Sequence, residues 1–145
     1  MDTVALVGCK DNFREALGEA LELIGGMGDL GSPLILKPNI CTGDDVTGHA
    51  NVKVGVMEAL VDRILEEDAE ASLRVVESDS VGKFADEALA RYGYRDYVDK
   101  LRGRGVDISL NNLSKSPLTR LDYDGYYFKE PDLPRILADA GGFVS

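Results

Sequence analysis

The chain has no tryptophan, one histidine and two cysteines. Nowhere does it run apolar for the roughly 20 residues that a bilayer-crossing helix needs. Cys9 and Cys41 cannot build a disulfide framework, and with no Cys-x-x-Cys pair or cysteine run, no iron–sulfur cluster is expected. Basic residues are scarce too, 16 against 26 acidic ones, for a net charge of -10. A phosphate-tracking face needs clustered Lys and Arg. The densest basic group, Lys100, Arg102 and Arg104, reads instead as the last turn of a helix, where the dipole favours cations. Nucleic acids and anionic membrane surfaces are therefore not expected partners. No basic stretch precedes the first apolar run, so no signal peptide is read and a cytoplasmic location is expected.

What the sequence does have is alternation. Its 145 residues, 44% of them hydrophobic, suit a single domain with a sizeable core. Thr3–Val7 reads as a buried strand closed by Gly8. A helix follows, capped by Asn12 with Glu15 three residues on, and stopped by Gly25-Gly26. A second strand is predicted at about 34–37, a long helix at 50–68 and a third strand at 73–76. Helices at 83–92 and 95–102 are separated by Gly93, and a fourth strand runs over 106–110. Repeated strand–helix–strand units give an α/β class: an open, mostly parallel, Rossmann-like sheet with helices on both faces. After Leu113 the pattern changes. Tyr123-Asp124-Gly125-Tyr126 signals a C-terminal β-hairpin, with Tyr123, Tyr126 and Tyr127 as cross-strand pairs. The closing Ala140–Ser145 reads as one more buried strand, and the chain is expected to be part of a longer protein.

In open α/β sheets, ligands bind beyond the carboxyl ends of the strands. Pro33–Asn39 delivers Lys37 and Asn39 to that edge, and Thr47 and His49 stand just before the following helix. An ammonium beside a helix amino terminus can hold a phosphate or carboxylate. His49 and Lys37 are the candidate catalytic groups, in an acid–base role. In the blander reading, Thr47 only caps the helix and Lys37 is a surface charge. Asp44, Asp45, Glu77 and Asp79 lie on two neighbouring strand-end loops. Asp79 and Glu77 with His49 would suit a divalent metal, whereas Asp79 could equally cap the next helix. Cys9 or Cys41 with His49 is a weaker nucleophilic pair, since buried thiols are common. Gly25-Gly26-Met27-Gly28 follows a helix, not a strand, and is no dinucleotide fingerprint.

Val4–Val7 with Cys9-Lys10, Ile35–Asn39, Thr47-Gly48-His49 and Asp79-Ser80 stand in the order found in domain-of-unknown-function family 362, which the chain resembles over most of its length. Members carry a strand ending Leu-Lys-Pro-Asn, a Thr-Thr-His-Pro-like helix start and a Gly-Asp-Ser turn. This chain departs at Ala50, where proline is usual, and at Ser78, where glycine is usual. It also ends before the family's Pro-Lys-x-Lys-Thr-His-like motif. The resemblance implies an α/β fold and a site containing Lys37, Asn39, Thr47, His49, Asp79 and Ser80, but no activity. Some members carry fused ferredoxin-like cysteine motifs, absent here.

Three functions stay open. The first is binding of a small anionic molecule at the carboxyl edge as part of an enzyme. The second is a divalent-metal site on that edge. The third is a non-catalytic interaction domain, completed by a second copy in a homo-oligomer or by a C-terminal segment.

Overall fold

The computed structural model describes residues 3–10, 12–80 and 82–145. Helix α1 spans Phe13–Ile24. Asn12 Oδ1 accepts the Glu15 N–H at 3.2 Å, and Gly25, at φ 89°, ends the helix in the left-handed conformation that glycine adopts without penalty. Strand β1 (Leu34–Leu36) is followed by α2 (Val54–Glu67), β2 (Leu73–Glu77), α3 (Ala85–Arg91), α4 (Tyr94–Arg102) and β3 (Ile108–Asn112). The antiparallel pair β4 (Leu118–Arg120) and β5 (Asp132–Pro134), the short α5 (Arg135–Ala138) and β6 (Gly142–Val144) complete the chain. No helix among the described residues is long and apolar enough to cross a membrane.

The main sheet has the order β3-β2-β1-β6, and all three of its pairings are parallel. Successive strand residues face opposite ways. Leu34, Leu36, Leu73, Val75 and Ile108 therefore share one face. They form a single core with Met57, Val61 and Ile64 of α2, Leu89 of α3 and Val98 and Leu101 of α4. Ile35 and Val76 point the other way and are also fully buried. The return from β3 to β6, across the width of the sheet, carries β4, β5 and α5.

Three expectations change. The apolar run Thr3–Val7 forms no strand: Val4 and Leu6 are 91% and 96% exposed. An apolar run becomes a strand only where its N–H and C=O groups find a ladder, and this run joins neither sheet. Helix α2 begins at Val54 and not at residue 50, because the preceding turn is held by Asp45 and broken by Gly48 at φ 70°. The hairpin is longer than the Asp-Gly signal implies. Its ladder joins 118–120 to 132–134, and Tyr126 and Tyr127 meet edge-on at its exposed tip, not across strands.

Glycine decides how β6 enters the sheet. A Cβ on Gly142 would lie 1.6 Å from the Leu30 carbonyl oxygen, and one on Gly141 would lie 2.4 Å from the Ser32 nitrogen. Only a residue without a side chain lets this strand pass the backbone of the β1 approach.

Candidate functional site

The parallel register brings the carboxyl ends of three strands together: Leu36 of β1 pairs with Val75 of β2 and with Val144 of β6. The next residues carry the polar groups. Glu77, the last residue of β2, is 3% exposed. Its Oε2 accepts the Ile40 N–H at 2.7 Å and its Oε1 the Ser78 N–H at 2.9 Å. The Lys37 ammonium lies 3.3 and 3.4 Å from the same two oxygens. Lys37 Nζ also donates to Asn39 Oδ1, and Asn39 Nδ2 donates to Ser145 Oγ at 3.0 Å. Asn39 sits at φ 51°, a left-handed conformation that asparagine tolerates better than most residues. This brings its short side chain between Lys37 and Ser145.

Lys37, Asn39, Glu77 and Ser145 thus form one connected cluster contributed by three adjacent strand ends. Lys37 retains some access to water, its side chain being 25% exposed. Among the described residues the ammonium has two partners, Asn39 and Glu77, and a third N–H remains. The second Asn39 amide hydrogen and the Ser145 hydroxyl hydrogen complete a set of donors in one place.

The other expected site residues serve different purposes. Asp45 organises the loop ahead of α2. Its Oδ1 accepts from the Gly48 N–H at 2.9 Å, the His49 N–H at 3.3 Å and the Thr47 hydroxyl at 3.0 Å. Its Oδ2 accepts from the Ala50 and Asn51 N–H groups, both at 3.0 Å. Thr47 does not cap α2; the cap residue is Lys53, which makes no side-chain cap bond. His49 is exposed, and among the described residues only its backbone N–H is engaged. No hydrogen bond there joins His49 to Lys37.

The metal set does not assemble either. Among the described residues, no three His, Cys, Asp or Glu side chains come together. Glu77 is turned inward to Lys37 and two backbone N–H groups. Asp79 Oδ1 accepts from the Ala85 N–H at 3.0 Å and from Asn112 Nδ2 at 3.1 Å, so it anchors the start of α3. Asp44 pairs with Arg91 of α3 at 3.3 Å. Ser80 is exposed, and its carbonyl accepts the Lys83 N–H. Cys9 and Cys41 are both exposed, unpaired thiols.

Two contributors escape sequence reasoning. Ser145 joins the cluster because β6 lies beside β1, a long-range pairing that no local pattern announces. Asn51 is buried, and its Oδ1 accepts the Cys41 and Thr42 N–H groups at 2.8 and 3.1 Å while its Nδ2 donates to the Thr42 carbonyl at 2.8 Å. This fixes the loop leaving Asn39. A lone asparagine between Ala50 and Val52 gives no signal of that role.

Partial desolvation pushes the Asp45 carboxyl up, but the bonds from Asn51, Thr47, Ala50 and Gly48 outweigh it and hold the group below its ordinary 3.8. A lowered carboxyl stabilises the fold above its unfolded value and loses that contribution as pH falls through the folded value. Asp45→Ala is accordingly expected to lower the amide-exchange protection of Gly48, His49, Ala50 and Asn51, leaving β1 and β2 unchanged. In the unmodified chain, the same four amides are expected to lose protection first as pH falls below about 3.8.

Compared with protein-family models, curated proteins and solved structures, the chain matches none.

Proposed function

We propose that this domain binds a small anion, a carboxylate or phosphate, at the carboxyl edge of its parallel sheet, and that its resemblance to family 362 reflects this site. The observation that carries the reading is the convergence of Lys37 and Asn39 after β1 with Ser145 after β6 into one donor-rich cluster. Glu77 already balances the Lys37 charge, so the cluster offers hydrogen-bond donors more than net positive charge. That balance favours a single negative charge over a multiply charged group. It also keeps the donors fixed: both Glu77 oxygens are occupied, and the ammonium cannot swing out without leaving a buried carboxylate unpaired.

Thermal melts with acetate and with inorganic phosphate test this. At 100 times its dissociation constant a ligand adds about 2.7 kcal/mol, which raises the melting temperature of a chain of this size by roughly 5–10 °C. The expected shift is present in the unmodified chain and absent in Lys37→Met. A shift of equal size in Lys37→Met, or none in either protein, overturns the reading.

A second reading, an interaction domain, is favoured by a different observation. Among the described residues, β6 is hydrogen-bonded to a strand on one side only, and Val4 and Leu6 lie uncovered. An open strand edge of this kind is a template for further pairing. Sedimentation showing a dimer that dissociates on Val144→Pro would support it, whereas a strict monomer at high concentration would dismiss it.

A further inference from the structure

We propose that the anion bound at Lys37 is the head of an amphipathic monocarboxylate, whose apolar tail lies in a chamber beneath α1. This rests on the anion reading above and extends it to a ligand class. The chamber has a volume of about 400 Å³, inside the roughly 300–1,000 Å³ range of small-molecule sites. Its walls are Leu17 and Leu21 of α1, Val56 and Leu60 of α2, and Leu36 and Val144 of the sheet. Among its lining residues the only polar side chains are Lys37 and Ser145, both members of the donor cluster. One end of an otherwise apolar space is therefore the anion site itself.

The packing around the chamber points the same way. Helix α1 has an apolar stripe and a well-formed cap at each end, yet it contains no buried residue, and Ile24 is 45% exposed. A helix stabilised by its apolar face needs something against that face. An unfilled apolar space forfeits dispersion contacts along its whole lining. A carboxylate with a flexible hydrocarbon tail satisfies both halves. Its head takes the donors of Lys37 and Ser145, and its tail supplies the contacts that Leu17 and Leu21 lack. A bare phosphate or acetate would satisfy only the first half, and a hydrocarbon only the second.

Calorimetric titration of the intact chain with acetate, hexanoate, octanoate and decanoate, and separately with inorganic phosphate, tests the proposal. Each methylene transferred from water into the chamber is expected to tighten binding about fourfold, so affinity should climb from acetate to octanoate. Lys37→Met is expected to weaken every carboxylate. Leu21→Trp, which fills the chamber from α1, is expected to abolish the chain-length gain while leaving acetate unaffected. Acetate or phosphate binding that depends on Lys37, with no gain along the series, overturns the amphipathic ligand but leaves the anion site standing. Silence from every anion overturns both. A chain-length gain indifferent to Leu21→Trp places the tail elsewhere and overturns the proposal. Should Leu21→Trp fail to fold, the series on the unmodified chain against Lys37→Met still decides. The double variant Val4→Asp, Leu6→Asp is expected to keep the affinities unchanged. Weakened folding in that variant would assign the chamber to the chain's own amino-terminal segment and overturn the proposal.

Discussion

Replacing Glu77 by alanine is expected to destabilise the domain by about 3–5 kcal/mol, because it breaks an ion pair at a buried position and leaves the survivors without partners. The carboxylate is 3% exposed and accepts the Ile40 and Ser78 N–H groups as well as the Lys37 ammonium. Removing it strands two backbone donors and leaves the Lys37 ammonium with Asn39 alone. The charge alone is not the whole effect. Glu77→Gln keeps the shape but presents an amide NH₂ where two donors already converge, so an intermediate loss is expected. Lys37→Met should cost less than Glu77→Ala, since it leaves both backbone bonds to the carboxylate in place and Lys37 lies closer to water. Urea denaturation with an unchanged slope measures all three. A loss below about 1 kcal/mol in Glu77→Ala would mean that the pair is solvated, and with it the ordered donor set at Lys37 would lose its foundation.

Gly142→Ala is the second large effect, and its mechanism is steric. The added carbon would sit 1.6 Å from the Leu30 carbonyl oxygen and 3.1 Å from Leu34 Cδ1. A backbone carbonyl cannot rotate away as a side-chain tip can, so β6 must separate from β1. Overpacking typically costs about 1–3 kcal/mol and occasionally more; the upper end is expected here. Gly8→Ala meets nothing within 4 Å and serves as the neutral control. In Gly142→Ala, amide exchange should quicken in β6 while β2 and β3 stay protected. The Lys37-dependent response to acetate should fade with it, because Ser145 follows directly from β6. Equal protection of β6 in both variants would show that the strand tolerates the side chain.

The sequence is legible where local rules and tertiary demand agree. The run at 34–36 is apolar throughout and that at 73–77 carries Leu73, Val75 and Val76; flanked by turn residues, both become the buried centre of the sheet. Lys37, Asn39 and Glu77 are readable as edge residues because each ends or closely follows such a run, though the sequence assigns Glu77 to a metal set and not to Lys37. Legibility fails where one residue has two equivalent uses. An aspartate at a strand end can ligate a metal or accept a helix's first N–H, and Asp79 does the second. A threonine before a helix can cap it, but Thr47 is drawn into the turn that Asp45 commands. Thr3–Val7 reads as a strand and is none, since an apolar run cannot say whether a neighbouring strand is vacant. Gly142–Val144 reads as a strand and is one, but its place beside β1 comes from a pairing across most of the chain.

That last pairing has a consequence in time. Asn39 and Ser145 are separated by 106 positions, and contacts so distant form only after the entropy of a long loop has been surrendered. The ladder β1-β2-β3 involves nearer neighbours in sequence and can form first, with β6 joining a core already in place. The Ser145 arm of the donor cluster is then the last of its parts to be put in place. A chain with β6 undocked would keep its core and its spectroscopic signature yet lack Ser145. Its apparent affinity would be the intrinsic one reduced by the fraction of time β6 is closed. Conversely, every ligand held there acts as a latch on the final step of folding.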